Sequence, residues 1–388
     1  MEHMTFLVTV VIITALAFDF TNGFHDTANS MATSIATGAL PPKVAVAISG
    51  ALNLVGAFLS VQVAKTISGG IIDEKSGIHP QVVFAALIGA ILWNLVTWLR
   101  GIPSSSSHAL YGGLIGATLV AVGMHGVDFD VVVTKIIIPA LASPVVAGVA
   151  AWGATKLAYR ITRKGSAKAT GKGFKAGQIA SASLVSLAHG TNDAQKTMGV
   201  ITLTLVTAGV LAPHSGPPVW VICASGLAIA AGTYIGGWRI IRTLGKGITD
   251  IEAPQGFTAQ TASAAVILTS SHMGYGLSTT HVCSGGIMGA GKGGRTGVVN
   301  WSTARRMAYA WGLTLPAAAL LSGLGALLAD QGTWGIVLLA VIGAGCSAWI
   351  YLINRRRPID ATHVVDVPGS ASLSAADPAR TATATIAA

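Results

Sequence analysis

The sequence predicts an all-α polytopic membrane protein of about 10–12 membrane segments, built as inverted-topology repeats with broken helices and paired helical hairpins. Three observations carry this. Only 10% of the residues are charged against 52% apolar, and the mean hydropathy is +0.66. A soluble surface needs far more charge. Several largely uncharged runs are long enough to cross a bilayer, among them "PQVVFAALIGAILWNLVTWL" and "WGIVLLAVIGAGCSAWIYLI". Finally, two polar motifs each occur twice, once in either half of the chain.

The first apolar run, "MTFLVTVVIITALAF", has no small-residue cleavage site soon after it and reads as a retained span, not a signal peptide. It leads into "DFTNGFHDTANSMAT", Asp19 to Thr33, which concentrates carboxylates, a histidine and asparagines at membrane depth. Such residues are costly there and mark transport or ion pathways. Asp19 has the simpler alternative of an acid at a span end; Asp26 does not, because it recurs.

The recurrence is "SLVSLAHGTNDAQKTMGV", Ser183 to Val200. Gly23/Gly190, Asp26/Asp193 and Met31/Met198 each lie 167 residues apart. A second pair joins "GIPSSSSHALYGGLIGA" to "GLSTTHVCSGGIMGAG". Setting His108 on His281 aligns Ser105/Ser278, Ser106/Thr279, Ser107/Thr280, Gly112/Gly285, Gly113/Gly286 and Gly116/Gly289 at an offset of 173. Two ordered motifs at nearly equal offsets define an internal repeat.

Loop charge sets the orientation. "RITRKGSAKATGKGFK" carries six positive charges and no negative one, and belongs in the cytoplasm with "GKGGRTGVVNWSTARR" and "NRRR". "IIDEKSGIH", "MHGVDFD" and "ADQGT" are acidic or nearly neutral and belong outside. The two hairpins then open to opposite sides, which makes the repeats inverted. The N-terminus falls outside and the C-terminus in the cytoplasm, in a multi-pass protein of the plasma membrane. The organisation is 1–158 as first repeat, 159–175 as basic linker, 176–354 as second repeat, and 355–388 as a basic, then disordered cytoplasmic tail.

The net charge of +10 gathers in these short loops without aromatic interleaving, which excludes a nucleic-acid partner. Cys223, Cys283 and Cys346 lie singly in apolar segments and read as small buried residues. Nothing in the sequence assembles a nucleophile–base set, so an enzyme is not expected.

Four serines after Pro103 make a good helix start, with proline suited to the first turn and serine to the cap. A broken helix whose free N–H groups face the membrane middle is an anion site. The competing reading has the small residues, above all Gly112, Gly113, Gly285 and Gly286, only letting helices approach. Asn22, Asn29 and Asn192 are either interhelical hydrogen-bonders and caps or uncharged cation ligands. Asp26 and Asp193 repel anions, a conflict that a bound cation or proton resolves. The proton could sit on Asp26 or Asp193, or on His25, His189, His108 or His281. Lys196 either contacts an anion or pairs with Asp193, and pairing is favoured because both charges are costly alone. Arg100, opposite Met273 in the alignment, reads as a positioning or a snorkelling residue; Trp93 and Asn94 read as packing groups. Coupled anion uptake is the implied function, with an anion channel or a sulfate permease as alternatives.

At these motifs the chain resembles the inorganic phosphate transporter (Pit/PiT) family, on "NGFHDTANSMAT", "AHGTNDAQKTMGV", "PSSSSHALYGG" and "LSTTHVCSGG". The resemblance covers roughly residues 5 to 355 and implies orthophosphate taken up with a cation near the repeat interface. It places substrate on Ser105, Ser106, Ser107, Ser278, Thr279, Thr280, Asn29 and Gln195. It places coupling on Asp26, Asp193, Asn22, Asn192, His25, His108 and His281. If sodium is the ion, Asp26, Asp193, Asn22 and Asn192 are its ligands. "NGFHDTAN" is similar to bacterial members, which implies proton coupling, with metal–phosphate as a further cargo and sodium as the alternative. No bound cofactor is implied, and a homodimer is the expected assembly.

Overall fold

The computed structural model describes residues 2–72, 78–295 and 297–365. Helix α1, Glu2–Ala36, is the longest element and carries the first carboxylate motif in its interior without a break. A turn leads to α2, Pro42–Gly56, then α3, Gln62–Thr66, which runs into a π-turn at Ile67–Ile71. The first hairpin is α4, Pro80–Leu99, and α5, Ser106–Ala121. A single turn, α6 at Phe129–Val131, passes through a π-turn at Val132–Ile137 into α7, Ile138–Ile161.

The second half repeats this order. Helix α8, Ala167–His189, continues through a π-turn at Gly190–Ala194 into α9, Gln195–Thr207. Next come α10, Val219–Ile235, and α11, Trp238–Arg242, with a π-turn at Thr243–Gly247. The second hairpin is α12, Ala253–His272, and α13, Thr279–Gly293. Then α14, Trp301–Ala329, and α15, Thr333–Arg356, close the bundle. Five helices among the described residues are long and apolar enough to cross a membrane, and α10 with α11 makes a sixth span bent by 61°. The protein is thus an all-α, multi-spanning bundle with broken and bent helices.

Packing is reciprocal between the halves: α5 lies on α14 as α13 lies on α7, and α1 lies on α10 as α8 lies on α2. Glycine sets the closest of these approaches. A Cβ on Gly23 would stand 2.3 Å from the Ile229 carbonyl oxygen, and one on its counterpart Gly190 2.1 Å from that of Asn53. The paired glycines of the hairpins do the same. Gly112 and Gly116 meet the backbone of α14 at Leu315 and Ala319, and Gly285 and Gly289 meet α7 at Pro144 and Gly148. These glycines act as helix contacts, the simpler of the two readings open to them.

Two expectations need correction. The basic stretch 159–175 is not a loop throughout, since the backbone from Ala167 already belongs to α8. The tail is ordered at its start: Ala361–Val365 forms α16, packed on α1, α2 and α11 with Val364 buried. Arg239 holds the approach to it, donating from Nε to Asn354 Oδ1 at 2.9 Å and from Nη2 to the Arg357 carbonyl at 2.5 Å. Of the tail, 366–388 lie outside the described residues, as do 73–77 of the loop "IIDEKSGIH".

Candidate functional site

The hairpin helices begin where the sequence places their starts. Ser105 is the N-cap of α5, accepting from the His108 N–H at 3.1 Å, and Ser278 is the N-cap of α13, accepting from the His281 N–H at 3.2 Å. Capping engages these two hydroxyls with backbone. It leaves Ser106, Ser107, Thr279 and Thr280 on the first turns, all 1–2% exposed. The two N-termini face one another. The rings of His108 and His281, one turn in, meet edge-to-face at 4.7 Å, and His281 stacks at 4.2 Å on Trp311. These contacts place the two histidines behind the hydroxyls. His281 Nδ1 also lies 3.2 Å from the Ala140 carbonyl oxygen.

Asp26 projects from the middle of α1 into this junction. Its Oδ1 lies 2.6 Å from His25 Nδ1 and accepts from Ser106 Oγ at 3.3 Å and Thr280 Oγ1 at 3.4 Å. Oδ2 accepts from Thr279 Oγ1 at 3.5 Å. The far nitrogen of His25, Nε2, sits 3.2 Å from Thr97 Oγ1 and 3.3 Å from Ser104 Oγ. Asn29, one turn on, donates from Nδ2 to Thr279 Oγ1 at 3.2 Å and Thr280 Oγ1 at 3.0 Å.

Asp193 enters from the π-turn between α8 and α9; a π-turn widens a helix by one residue and often marks a functional site. Its Oδ1 pairs closely with Lys196 Nζ and accepts from Ser107 Oγ at 3.4 Å. Lys196 also donates to Ser107 Oγ at 2.5 Å and to the Leu277 carbonyl at 2.9 Å. The ion pair favoured on desolvation grounds is therefore present, with contact to a hairpin hydroxyl as well. His189 Nε2 stands 3.1 Å from Asp193 Oδ2. Asp26, Asp193 and His189 each present a ligand atom within 4.8 Å of the others, and all three are buried. Separations up to about twice a 2.3–2.6 Å ligand distance suit one cation in their midst.

Other candidates are engaged elsewhere. Gln195 Oε1 accepts from the N–H groups of Val63 at 2.8 Å and Ala64 at 3.3 Å, and its amide donates to Thr191 O. It therefore caps the short helix α3. Asn192 donates to the Leu277 carbonyl at 2.8 Å and accepts from Ser271 at 3.3 Å, bracing the entry to α13. Asn22 faces Asp19, one turn before Asp26. Sequence reasoning missed Thr97, Ser104 and the Leu277 carbonyl as partners. Thr97 lies in an apolar helix with no local signal, whereas Ser104 stood inside the serine run.

Two convergent helix N-termini, four hydroxyls, a buried lysine and two carboxylates, set within a two-fold pseudo-symmetric multi-spanning bundle, point to a membrane transport protein with an anionic cargo. Comparison with known proteins specifies the anion. The sequence pattern of the phosphate transporter family matches residues 22–170 and 163–322. A Mycobacterium bovis protein named a probable low-affinity inorganic phosphate transporter is 54% identical over 368 residues, covering 94% of this chain and 88% of its own length. A Bacillus subtilis protein of the same name is 42% identical over 325 residues, covering 84% and 97%. A solved structure described as a sodium-dependent phosphate transporter shares the fold, with a TM-score of 0.75 and 24% identity over 84% of this chain and 99% of that one. The chain belongs to the phosphate transporter family. It is accordingly a secondary transporter of inorganic phosphate and not an enzyme.

Proposed function

We propose that the chain imports phosphate across the plasma membrane by symport with a cation. Ser106, Ser107, Thr279 and Thr280 hold the oxyanion at the two helix N-termini, and Asp26 and Asp193 hold the coupling ion. The observation that carries this reading is the buried trio Asp26, Asp193 and His189, whose ligand atoms lie within 4.8 Å of one another beside the hydroxyls. Charge accounts for the coupling. Two carboxylates and Lys196 together carry one net negative charge, which repels phosphate until a single cation arrives.

Sodium is the coupling ion this geometry favours, in place of the proton preferred from sequence. Asp26 is surrounded by hard oxygen donors, Ser106, Thr279 and Thr280, and phosphate oxygens would add more. The proton reading rests on a specific contact of its own, the 2.6 Å approach of His25 Nδ1 to Asp26. Loop charge supports an N-terminus outside and a C-terminus in the cytoplasm. The reciprocal packing of the halves supports alternating access by rocking one repeat against the other.

The test is uptake by purified protein in sealed liposomes, with phosphate and sulfate offered under separately imposed sodium and proton gradients. Uphill phosphate accumulation driven by sodium without a proton gradient is expected. Accumulation driven by protons alone moves the coupling to the second reading. Purely downhill flux under every gradient removes symport, and accumulation abolished by a divalent-metal chelator makes metal–phosphate the cargo.

A further inference from the structure

Asp19 is fully buried, and neither carboxylate oxygen has a hydrogen-bond partner among the described residues. A lone buried carboxylate is costly, so a side chain of this kind needs a counter-charge or a proton. Its neighbours Asn22 and Thr197 face the carboxylate. Asn22 Oδ1, Thr197 Oγ1 and Ser225 Oγ are themselves buried and unpartnered.

The internal repeat shows what these positions normally do. Asp19, Thr197 and Ser225 correspond to Ser186, Ser30 and Ser49 at the offsets that relate the halves, 167 for the carboxylate helices and 176 for α2 and α10. In that other copy the three hydroxyls satisfy one another: Ser30 and Ser49 lie 3.1 Å apart, and Ser186 donates to Ser49 at 3.0 Å. One turn further along, Gly190 meets Asn53, and equivalently Gly23 meets Ile229. The same helix crossing therefore brings Asp19 opposite Ser225. In one half the position is a closed hydroxyl network. In the other a carboxylate replaces a serine, and the oxygens stand without donors.

We propose that Asp19, Asn22, Thr197 and Ser225 form a second buried cation site that takes a dehydrated monovalent cation of sodium size. The donors are all oxygen, which suits a hard ion. The charge selects a monovalent one, because Asp193 and Lys196, the nearest other charges, cancel and leave Asp19 alone to be neutralised. A proton on Asp19 supplies one donor and leaves the remaining oxygens unpaired. This site uses none of the Asp26, Asp193 and His189 ligand atoms and does not depend on the coupling ion assigned there.

The test is equilibrium binding of radioactive sodium to the purified full chain in choline buffer without phosphate. The assay compares wild type with Asp19→Asn, Thr197→Val, Ser225→Ala and Asp26→Asn, and folding is verified by thermal melting. Wild type is expected to bind sodium, with a component that persists in Asp26→Asn and weakens at least tenfold in Asp19→Asn. Thr197→Val and Ser225→Ala, which keep the carboxylate, are each expected to weaken it about fivefold. Ser186→Ala, in the hydroxyl copy, is expected to leave it unchanged. Absence of sodium binding by wild type, or equal binding by wild type, Thr197→Val and Ser225→Ala, overturns the proposal even if Asp19→Asn does not fold. Loss of all binding in Asp26→Asn likewise overturns it, since one site then accounts for the ion.

Discussion

Ser107 Oγ, on the hairpin of the first repeat, lies 3.4 Å from Asp193 Oδ1 of the second, and Thr280 Oγ1 of the second lies 3.4 Å from Asp26 Oδ1 of the first. The two contacts are equivalent under the internal repeat. Each carboxylate is therefore tied to a hairpin hydroxyl of the other half. The residue one turn beyond each carboxylate reinforces the crossing: Asn29 donates to Thr280, and Lys196 to Ser107.

From this crossing it follows that Ser107→Ala weakens phosphate affinity more than turnover. On the proposed binding role, the variant removes one donor toward the anion, and it also removes one partner of Lys196. A lost hydrogen bond costs about 0.5–1.5 kcal/mol, and about 1.5–3 kcal/mol when one partner is charged. The expected outcome is a KM for phosphate raised roughly tenfold, with maximal uptake largely recovered at high substrate. Initial-rate uptake over a wide phosphate range checks it; an unchanged KM removes Ser107 from the binding set.

Asp26→Asn and Asp193→Asn keep approximate shape and remove a charge. If the carboxylates couple a cation to phosphate, each variant loses gradient-driven accumulation by a factor of at least ten per folded molecule. Uptake per folded molecule under the imposed gradient is the measurement. Near-wild-type coupled uptake in both variants shows that the carboxylates only stabilise the bundle.

Much of this was legible in the sequence, and the reason is periodicity and cost. The two motif pairs located both carboxylates and both helix starts, because a buried Asp and a serine run after proline have few competing explanations. The exceptions are instructive. Gln195 and Asn192 stand beside Asp193 in the chain, yet the widened π-turn directs them to the backbone at Val63 and at Leu277. Sequence adjacency is a poor guide there, since a π-turn shifts side chains around the helix axis. His108 and His281 share the motif but sit one turn past the caps, on the face where the hairpins meet each other. Thr97 reaches His25 across a distance of 72 residues in sequence, which no local pattern encodes. Helix starting at Ala167 was hidden by its basic residues, which mark a cytoplasmic location without specifying a loop.

The glycine contacts predict a graded response to alanine. A Cβ at Gly23 or Gly190 meets a carbonyl oxygen of the packed helix at 2.3 Å or 2.1 Å, and backbone cannot step aside as a flexible side chain does. Gly153 and Gly312 have open space at the same position. Overpacking costs about 1–3 kcal/mol. Gly23→Ala and Gly190→Ala are expected to lower the melting temperature and uptake, whereas Gly153→Ala and Gly312→Ala leave both near wild type. Equal behaviour of the four variants contradicts the close helix crossings.

Lys196 gives a prediction that separates charge from shape. Its ammonium is buried, paired with Asp193 and donating to Ser107 and Leu277. Removing one member of a buried pair leaves an uncompensated charge, at a cost of about 3–5 kcal/mol. Lys196→Gln is therefore expected to melt well below wild type. The double variant Asp193→Asn with Lys196→Gln removes both charges and is expected to be more stable than Lys196→Gln alone. At its equivalent position Asn29→Leu removes only neutral donors and is expected to cost less than Lys196→Gln. Thermal melting of these variants in detergent makes the comparison. A double variant no more stable than Lys196→Gln would mean that Asp193 is not the group that needs the lysine.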